Sequence, residues 1–358
     1  KVRQGEEFRN IDNVCFVHPK KGELVKNPLR PLEQSLEKLP FPATELFEYQ
    51  KIINENQMAL FHFNRGCPYP CTYCSAQQLA KEYGTVKEGL RQMPARKAID
   101  TIKHTIEKYD VPSDTLLLFT DDLFTMYKDW LYEFLDLYEA EIARPFWSTA
   151  RSNTASDEQF DRLKSAGCRT IMMAIESGND FIRNKIMKRN ISRKVMFNSF
   201  ELANKYKLRT CSPCVIGVPF ETPEMIEDSI KTVSQLNITD KAVNVFFPYR
   251  GTPLRTVCEE NNFLPDFTKV RAIERKESIL NLPTIKKGEI QYYHDNWERL
   301  ILKRMGTRNR FGSMCKDIYL NVTNNPIGQK AKHIINRNSY TRKVKEGCKK
   351  ALGISNLA

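Results

Sequence analysis

The chain has 358 residues, 41% of them hydrophobic, and a net charge of +13. That length gives one large domain or two smaller ones an ample core, and no apolar run reaches the roughly 18 residues that a bilayer span needs. The ten cysteines follow a polar start, "KVRQGEEFRN", without an export signal, so they fit a reducing, cytoplasmic setting in which clustered thiols serve as metal ligands or catalytic groups rather than bridges.

Residues 1–58 carry several prolines ("NPLRPLEQSLEKLPFP") and little periodicity, which predicts an extended strap or linker. The missing initiator Met reads as the cut end of a longer chain. From residue 58, short apolar runs begin to alternate with longer stretches of helical period. The runs are 58–63, 114–120, 145–150, 169–176, 209–219 and 242–249; the amphipathic stretches between them include 95–109, 129–142, 156–167, 192–207 and 222–236. Each stretch opens near Pro, Ser, Thr or Asp, as helix N-termini do. Six strand–helix units with continuously apolar strands predict an α/β fold with a parallel sheet covered on both faces. We read it as a partial (β/α)6 TIM-like barrel over 59–255, with a doubly wound sheet as the other form. In either, functional groups gather at the C-terminal ends of the strands. After "GTPL" (251–254) the alternation stops, and helices are expected near 269–281, 291–305 and 328–351. Residues 256–358 therefore form a basic helical extension, with 20 Lys and Arg against 10 Asp and Glu from Thr256 onward. This excess fits a solvated helical face better than a nucleic-acid footprint.

Immediately after the first strand, "NRGCPYPCTYCSAQQ" (64–78) places Cys67, Cys71 and Cys74 within eight residues. A structural zinc site wants four ligands in two separated pairs, and no second pair follows; His62 and His104 stand alone in the sequence. Three thiolates suit a [4Fe–4S] cube with one iron left open to an outside chelator. Cys211 and Cys214 are separated by an odd interval on an expected strand, which points their side chains to opposite faces. Cys15, Cys168, Cys258, Cys315 and Cys348 are scattered, as small buried hydrophobes are. An auxiliary cluster built from these seven is the less favoured reading.

The triplet, with Tyr73 as the aromatic residue before its last cysteine, resembles the hallmark of the radical S-adenosylmethionine (SAM) superfamily, and the resemblance runs over roughly 10–255. It implies that Cys67, Cys71 and Cys74 hold the [4Fe–4S] cluster, whose open iron takes the amino and carboxylate groups of SAM. One electron then cleaves the sulfonium to a 5′-deoxyadenosyl radical. In "FTDDLFT" (119–125), Asp121 or Asp122 is implied as acceptor for the methionyl amine. "STAR" (148–151) offers Arg151 to the carboxylate or ribose, and "AIESGND" (174–180) offers Glu176 and Ser177. In "VIGVPFET" (215–222), Gly217 admits close backbone approach on the adenine side. Together with Tyr73, these are the expected SAM-seating residues.

The strap, "CPYPCTYCSA", "DDLFT", "ESG" and "GTPL" look like the branch that carries an N-terminal cobalamin-binding module. Residues 1–58 would be the remnant after such a module. With cobalamin, the implied reaction is methyl transfer to an unactivated carbon, or to phosphorus, of a small molecule or peptide. Without it, a radical cyclisation, rearrangement or oxidation is implied. The tail would cover the barrel mouth, and its charge points to an acidic substrate. An electron donor such as flavodoxin or ferredoxin is expected, and nucleic acid is not an expected partner. Two rivals are a methylthiotransferase acting on tRNA or protein, and a zinc-stabilised nucleic-acid-binding protein.

Overall fold

The computed structural model describes residues 11–18, 21–266 and 275–305. They divide into two units, 11–70 with 74–149, and 71–73 with 150–305.

The first unit opens on a hairpin, β1 (Cys15–Val17) antiparallel to β2 (Leu24–Lys26), followed by α1 (Tyr49–Asn56). This part of the expected strap is thus more regular than its prolines suggest. The helix α1 is pinned by buried Tyr49 and Ile53 and stopped by Gln57 in the left-handed conformation. Next come β3 (Met58–Phe61), α2 (Ala76–Glu82), α3 (Val86–Gly89), α4 (Ala95–Lys108), β4 (Leu116–Phe119), α5 (Lys128–Glu141) and β5 (Phe146–Thr149). β4 lies between β3 and β5, and all three run parallel. The Tyr49 hydroxyl accepts from the Leu60 N–H and donates to the Leu60 carbonyl, both at 3.0 Å. It thereby occupies polar groups that β3 would otherwise expose. An aromatic cluster fills the core: Phe61, Phe63, Phe119, Phe124, Phe134 and Phe146 are all buried. Their rings meet mostly edge-on or tilted, with Phe119 and Phe124 centroids 5.0 Å apart. At about 1.5–3 kcal/mol for each buried side chain of this size, this cluster is a main source of the unit's stability.

The second unit continues the alternation with α6 (Asp157–Ser165), β6 (Cys168–Met172), α7 (Arg193–Lys205), β7 (Arg209–Ile216), α8 (Pro223–Ser234), β8 (Asp240–Val245), α9 (Pro253–Glu260) and α10 (Lys287–Arg304). Four helices start at hydroxyl caps, three of them where the sequence places a helix start; the fourth, α9 behind Thr252, forms where none was expected. Ser156, Ser192, Thr222 and Thr252 accept from the backbone N–H three residues on, and Pro223 and Pro253 occupy the first helical positions. β7 pairs in parallel with both β6 and β8. Its residues alternate between buried and half-buried with none exposed, so both faces are covered. Cys214 falls in the buried set and Cys211 in the half-buried one, as their odd spacing requires.

The expected α/β class is found: a parallel six-stranded sheet whose strands follow chain order. The helix expected near 291–305 is present as α10. No helix forms over 275–281. There the neighbouring Ile279 and Leu280 are both buried in one apolar cluster, and Pro283, which lacks an N–H to donate, follows closely. Residues 267–274 and the helix expected at 328–351 lie outside the described residues. Among the described residues, no helix is long and apolar enough to cross a membrane.

Candidate active site

The loop that carries the triplet is prepared on both sides by polar contacts. In the first unit, Asp121 follows β4 and is 2% exposed. Its carboxylate accepts from the Asn64 N–H at 2.6 Å and the Phe63 N–H at 3.3 Å, so it fixes the chain three residues before Cys67. Burial raises the pKa of this carboxyl, and those N–H groups oppose the rise. The Arg65 guanidinium donates to the carbonyls of His62, Phe63 and Asn64 at 3.0–3.1 Å. Beyond the cysteines, the Gln77 side chain donates to the Pro68 carbonyl at 2.7 Å and closes the loop on itself. Cys67 and Cys74 are half-buried. Burial, then the neighbouring Cys67, raises the Tyr127 phenol. Asp122 is exposed. Of the two candidate aspartates, Asp121 thus has its carboxylate committed to the backbone, and Asp122 is the one open to a ligand.

In the second unit, residues 71–73 are held by backbone and side chain alike. The Thr72 N–H donates to Met187 O at 3.1 Å, its hydroxyl donates to Ile186 O at 2.6 Å, and the Leu254 N–H donates to Thr72 O at 2.9 Å. On either side lie the two functional groups. The buried Cys71 Sγ takes a hydrogen bond from Arg151 Nη1 at 3.7 Å, while Arg151 Nη2 donates to the Arg189 carbonyl. The Tyr73 hydroxyl donates to Glu176 Oε1 at 2.8 Å. Arg189 Nη1 stands 3.2 Å from that hydroxyl and 3.6 Å from Glu176 Oε1, and its Nη2 donates to Ala174 O at 2.8 Å. Burial works against the Arg189 charge, but Tyr73 and Glu176 outweigh it and its pKa is raised. Burial pushes the Tyr73 phenol well above its ordinary value, with Arg189 opposing.

Glu176 has φ +64° and is spliced into β7, accepting from Val215 N at 2.7 Å and donating to Pro213 O at 3.2 Å. Ser177 is fully buried; its hydroxyl accepts from the Asn179 N–H and meets Ser229 Oγ at 3.3 Å. Gly217 has φ +75°, and a Cβ there would meet Ile290 Cδ1 at 3.1 Å. Its N–H donates to Glu221 Oε2 at 2.6 Å. Glu221 is wholly buried, its other oxygen lacks a hydrogen-bond partner among the described residues, and burial raises its carboxyl to about 8. Cys214 is raised well above its ordinary value by burial, with Glu176 and Glu221 adding to the effect.

Sequence reasoning overlooked Arg189, Arg183 and Glu221. Arg183, 1% exposed, donates to the Ser177 and Ile191 carbonyls at 2.9 Å each and pairs with Asp180. It ties the loop after β6 to the segment that carries Arg189. Among the described residues, no three His, Cys, Asp or Glu side chains stand together as a ready-made metal site. The donor set nonetheless has the chemistry an iron–sulfur cluster takes: three soft thiol ligands on one short loop, one buried and two half-buried, with a guanidinium aimed at the buried sulfur.

The family model of the Radical SAM superfamily matches residues 61–233. The chain is 26% identical over 266 residues to the uncharacterized methyltransferase PH0819 of Pyrococcus horikoshii, covering 74% of this chain and 55% of that protein. It is 20% identical over 308 residues to cytidylyl-2-hydroxyethylphosphonate methyltransferase of Streptomyces wedmorensis, covering 81% of this chain and 55% of that one. The chain thus spans about half the length of these curated relatives. Among solved structures, its fold resembles the radical SAM methyltransferase TsrM of Kitasatospora setae, with tryptophan and a SAM analogue bound (TM-score 0.56, 15% identity, 73% of this chain and 51% of that one). It also resembles the cobalamin-dependent SAM radical enzyme OxsB (TM-score 0.60, 11% identity, 99% and 57%). Over residues 61–233, about half of its length, the chain thus carries a match to the Radical SAM domain, and the cysteine triplet lies inside it, just after β3.

Proposed function

We propose that this chain is the radical SAM core of a methyltransferase. Cys67, Cys71 and Cys74 hold a [4Fe–4S] cluster, and Tyr73, Asp122, Arg151, Glu176 and Gly217 seat SAM. Asp121 and Ser177 position the loops on which those residues stand. When bound, the cluster supplies the electron that cleaves the SAM sulfonium, and cobalamin supplies a carrier for the methyl group. The observation that carries the reading is the buried set around residues 71–73, where Cys71 meets Arg151 and Tyr73 meets Glu176 and Arg189.

The chain's own residues do three things in this scheme. Asp121, Arg65 and Thr72 hold the triplet loop on both sides. Exposed Asp122 offers a carboxylate to an ammonium group, and Arg189, whose buried Nε has no hydrogen-bond partner among the described residues, offers a charged donor to a carboxylate. The packing that buries Cys71 and Arg151 keeps water from that side of the triplet loop. Methyl transfer is supported by the two curated relatives named as methyltransferases, and cobalamin by the likeness in fold to OxsB. On this reading residues 1–58 are the strap after a cobalamin-binding module. The substrate is a small molecule or peptide, and a flavodoxin or ferredoxin delivers the electron; most of the basic extension expected over the barrel mouth lies outside the described residues.

The test is anaerobic reconstitution with iron and sulfide, reduction, and chromatography with SAM, with and without cobalamin. Four irons per chain and 5′-deoxyadenosine from the wild type, both lost in Cys71→Ala, are expected. A colourless protein that holds one zinc and leaves SAM intact would overturn the reading.

A further inference from the structure

Arg151 follows the end of β5 by two residues and is 5% exposed. Its guanidinium is anchored at both ends of its fork: Nη1 donates to Cys71 Sγ at 3.7 Å and Nη2 to the Arg189 carbonyl. Its own carbonyl accepts from the Thr154 N–H and hydroxyl, each at 2.9 Å, so backbone and side chain are both fixed. We propose that Arg151 sets the reduction potential of the cluster, through an N–H···S hydrogen bond and a buried positive charge held at Cys71. The proposal rests on the cluster binding given above.

The physical basis is the charge on the sulfur. A donor aimed at a cysteine ligand draws electron density from it and favours the reduced, more negative cluster, which raises the potential. Burial strengthens the effect, because little water screens the guanidinium. The second guanidinium nearby, Arg189, is paired with Glu176 on the Tyr73 side, which leaves Arg151 as the cation aimed at the sulfur. Lysine at position 151 would keep the charge but not the planar fork that reaches Sγ and a carbonyl together. Seating the SAM carboxylate is a different role for Arg151, and a potential measured without SAM separates the two. A residue that only binds SAM changes SAM affinity and leaves the SAM-free potential alone.

The experiment is a redox titration of the reconstituted chain without SAM, followed by the electron paramagnetic resonance signal of the reduced cluster, in wild type, Arg151→Met and Arg151→Lys. The expected result is a more negative midpoint in Arg151→Met. At the wild-type midpoint the reduced-to-oxidised ratio should fall about tenfold, which is about 59 mV for one electron; Arg151→Lys should lie between. Unchanged midpoints in variants that bind four irons would overturn the proposal. A wild type that takes up no cluster would instead remove the reading beneath it, and both would fall. If Arg151→Met does not hold iron, Arg151→Lys and Arg151→Gln decide by the same comparison.

Discussion

The Tyr73 hydroxyl and the Glu176 carboxylate are joined by a 2.8 Å hydrogen bond that links the residue before the last cysteine of the triplet to the chain after β6. Arg189 touches both groups, so the pair is one side of a buried three-membered set. Its members are not equivalent. Tyr73→Phe removes the hydrogen bonds to Glu176 and from Arg189 but leaves the ion pair, and should cost about 1–3 kcal/mol. Glu176→Gln leaves the Arg189 charge buried without its counter-ion and should cost about 3–5 kcal/mol. Urea unfolding of the protein as purified measures both; equal losses would show that the ion pair is not what holds the set together.

Gly178 marks where the loop after β6 presses on α8. A Cβ at this position would meet Asp228 O and Ser229 Cα at 2.6 Å each. Both are backbone atoms of a regular helix, so neither yields as a side chain would. Gly178→Ala should therefore lower stability by about 1–3 kcal/mol. Gly288→Ala is the comparison, since Gly288 lies in the first turn of α10 with nothing within 4 Å of an added Cβ. It should gain up to about 1 kcal/mol from helix propensity. A thermal melt in which both variants behave alike would refute the close-packing argument.

Ser177 separates a loop-holding role from a ligand-holding one. Its hydroxyl accepts from Asn179 N at 3.2 Å and meets Ser229 Oγ. Ser177→Ala should cost about 1–2 kcal/mol of stability while SAM binding, followed by equilibrium dialysis on the reconstituted protein, stays within twofold of wild type. A tenfold loss of SAM affinity at unchanged stability would place Ser177 on the ligand instead.

The strands and long helices were legible because their physics is local. Apolar runs of strand length alternate with 3.6-residue periods, and Ser156, Ser192 and Thr222 stand where caps belong; the short α9 behind Thr252 went unread. Of the site, the cysteine spacing and the strand-end positions could be read. Arg183 and Arg189 could not: they sit in "IRNKIMKRN", among Lys185 and Lys188, and look like part of a solvated charge run. The segment Phe181–Ile186 is a π-helix, and Lys188 and Asn190 have positive φ. Both shift the angular phase that ordinary periodicity assumes, and so turn the two arginines inward. Asp121 and Asp122 were indistinguishable in sequence; only the fold shows that the first carboxylate faces the backbone of Phe63 and Asn64.

Glu221 gives the second unit a pH dependence of definite sign. In the unfolded chain its carboxyl titrates near the ordinary value of 4.5; in the fold, burial raises it to about 8, against the N–H groups of Val218 and Gly217. Between these values the native state keeps a proton that the unfolded state releases, so stability falls as pH rises, by at most about 1.4 kcal/mol per unit from this group. The contribution is whole below about 4.5 and gone above about 8. Glu221→Gln keeps an oxygen to accept the Gly217 N–H, bonded at 2.6 Å in the wild type, but has no proton to lose. Urea midpoints of both proteins at pH 5, 6.5 and 8 should show the variant gaining on the wild type at each step. A gap that stays constant across the three pH values would mean that Glu221 is already ionised in the fold, held by the two backbone N–H groups at the turn after β7.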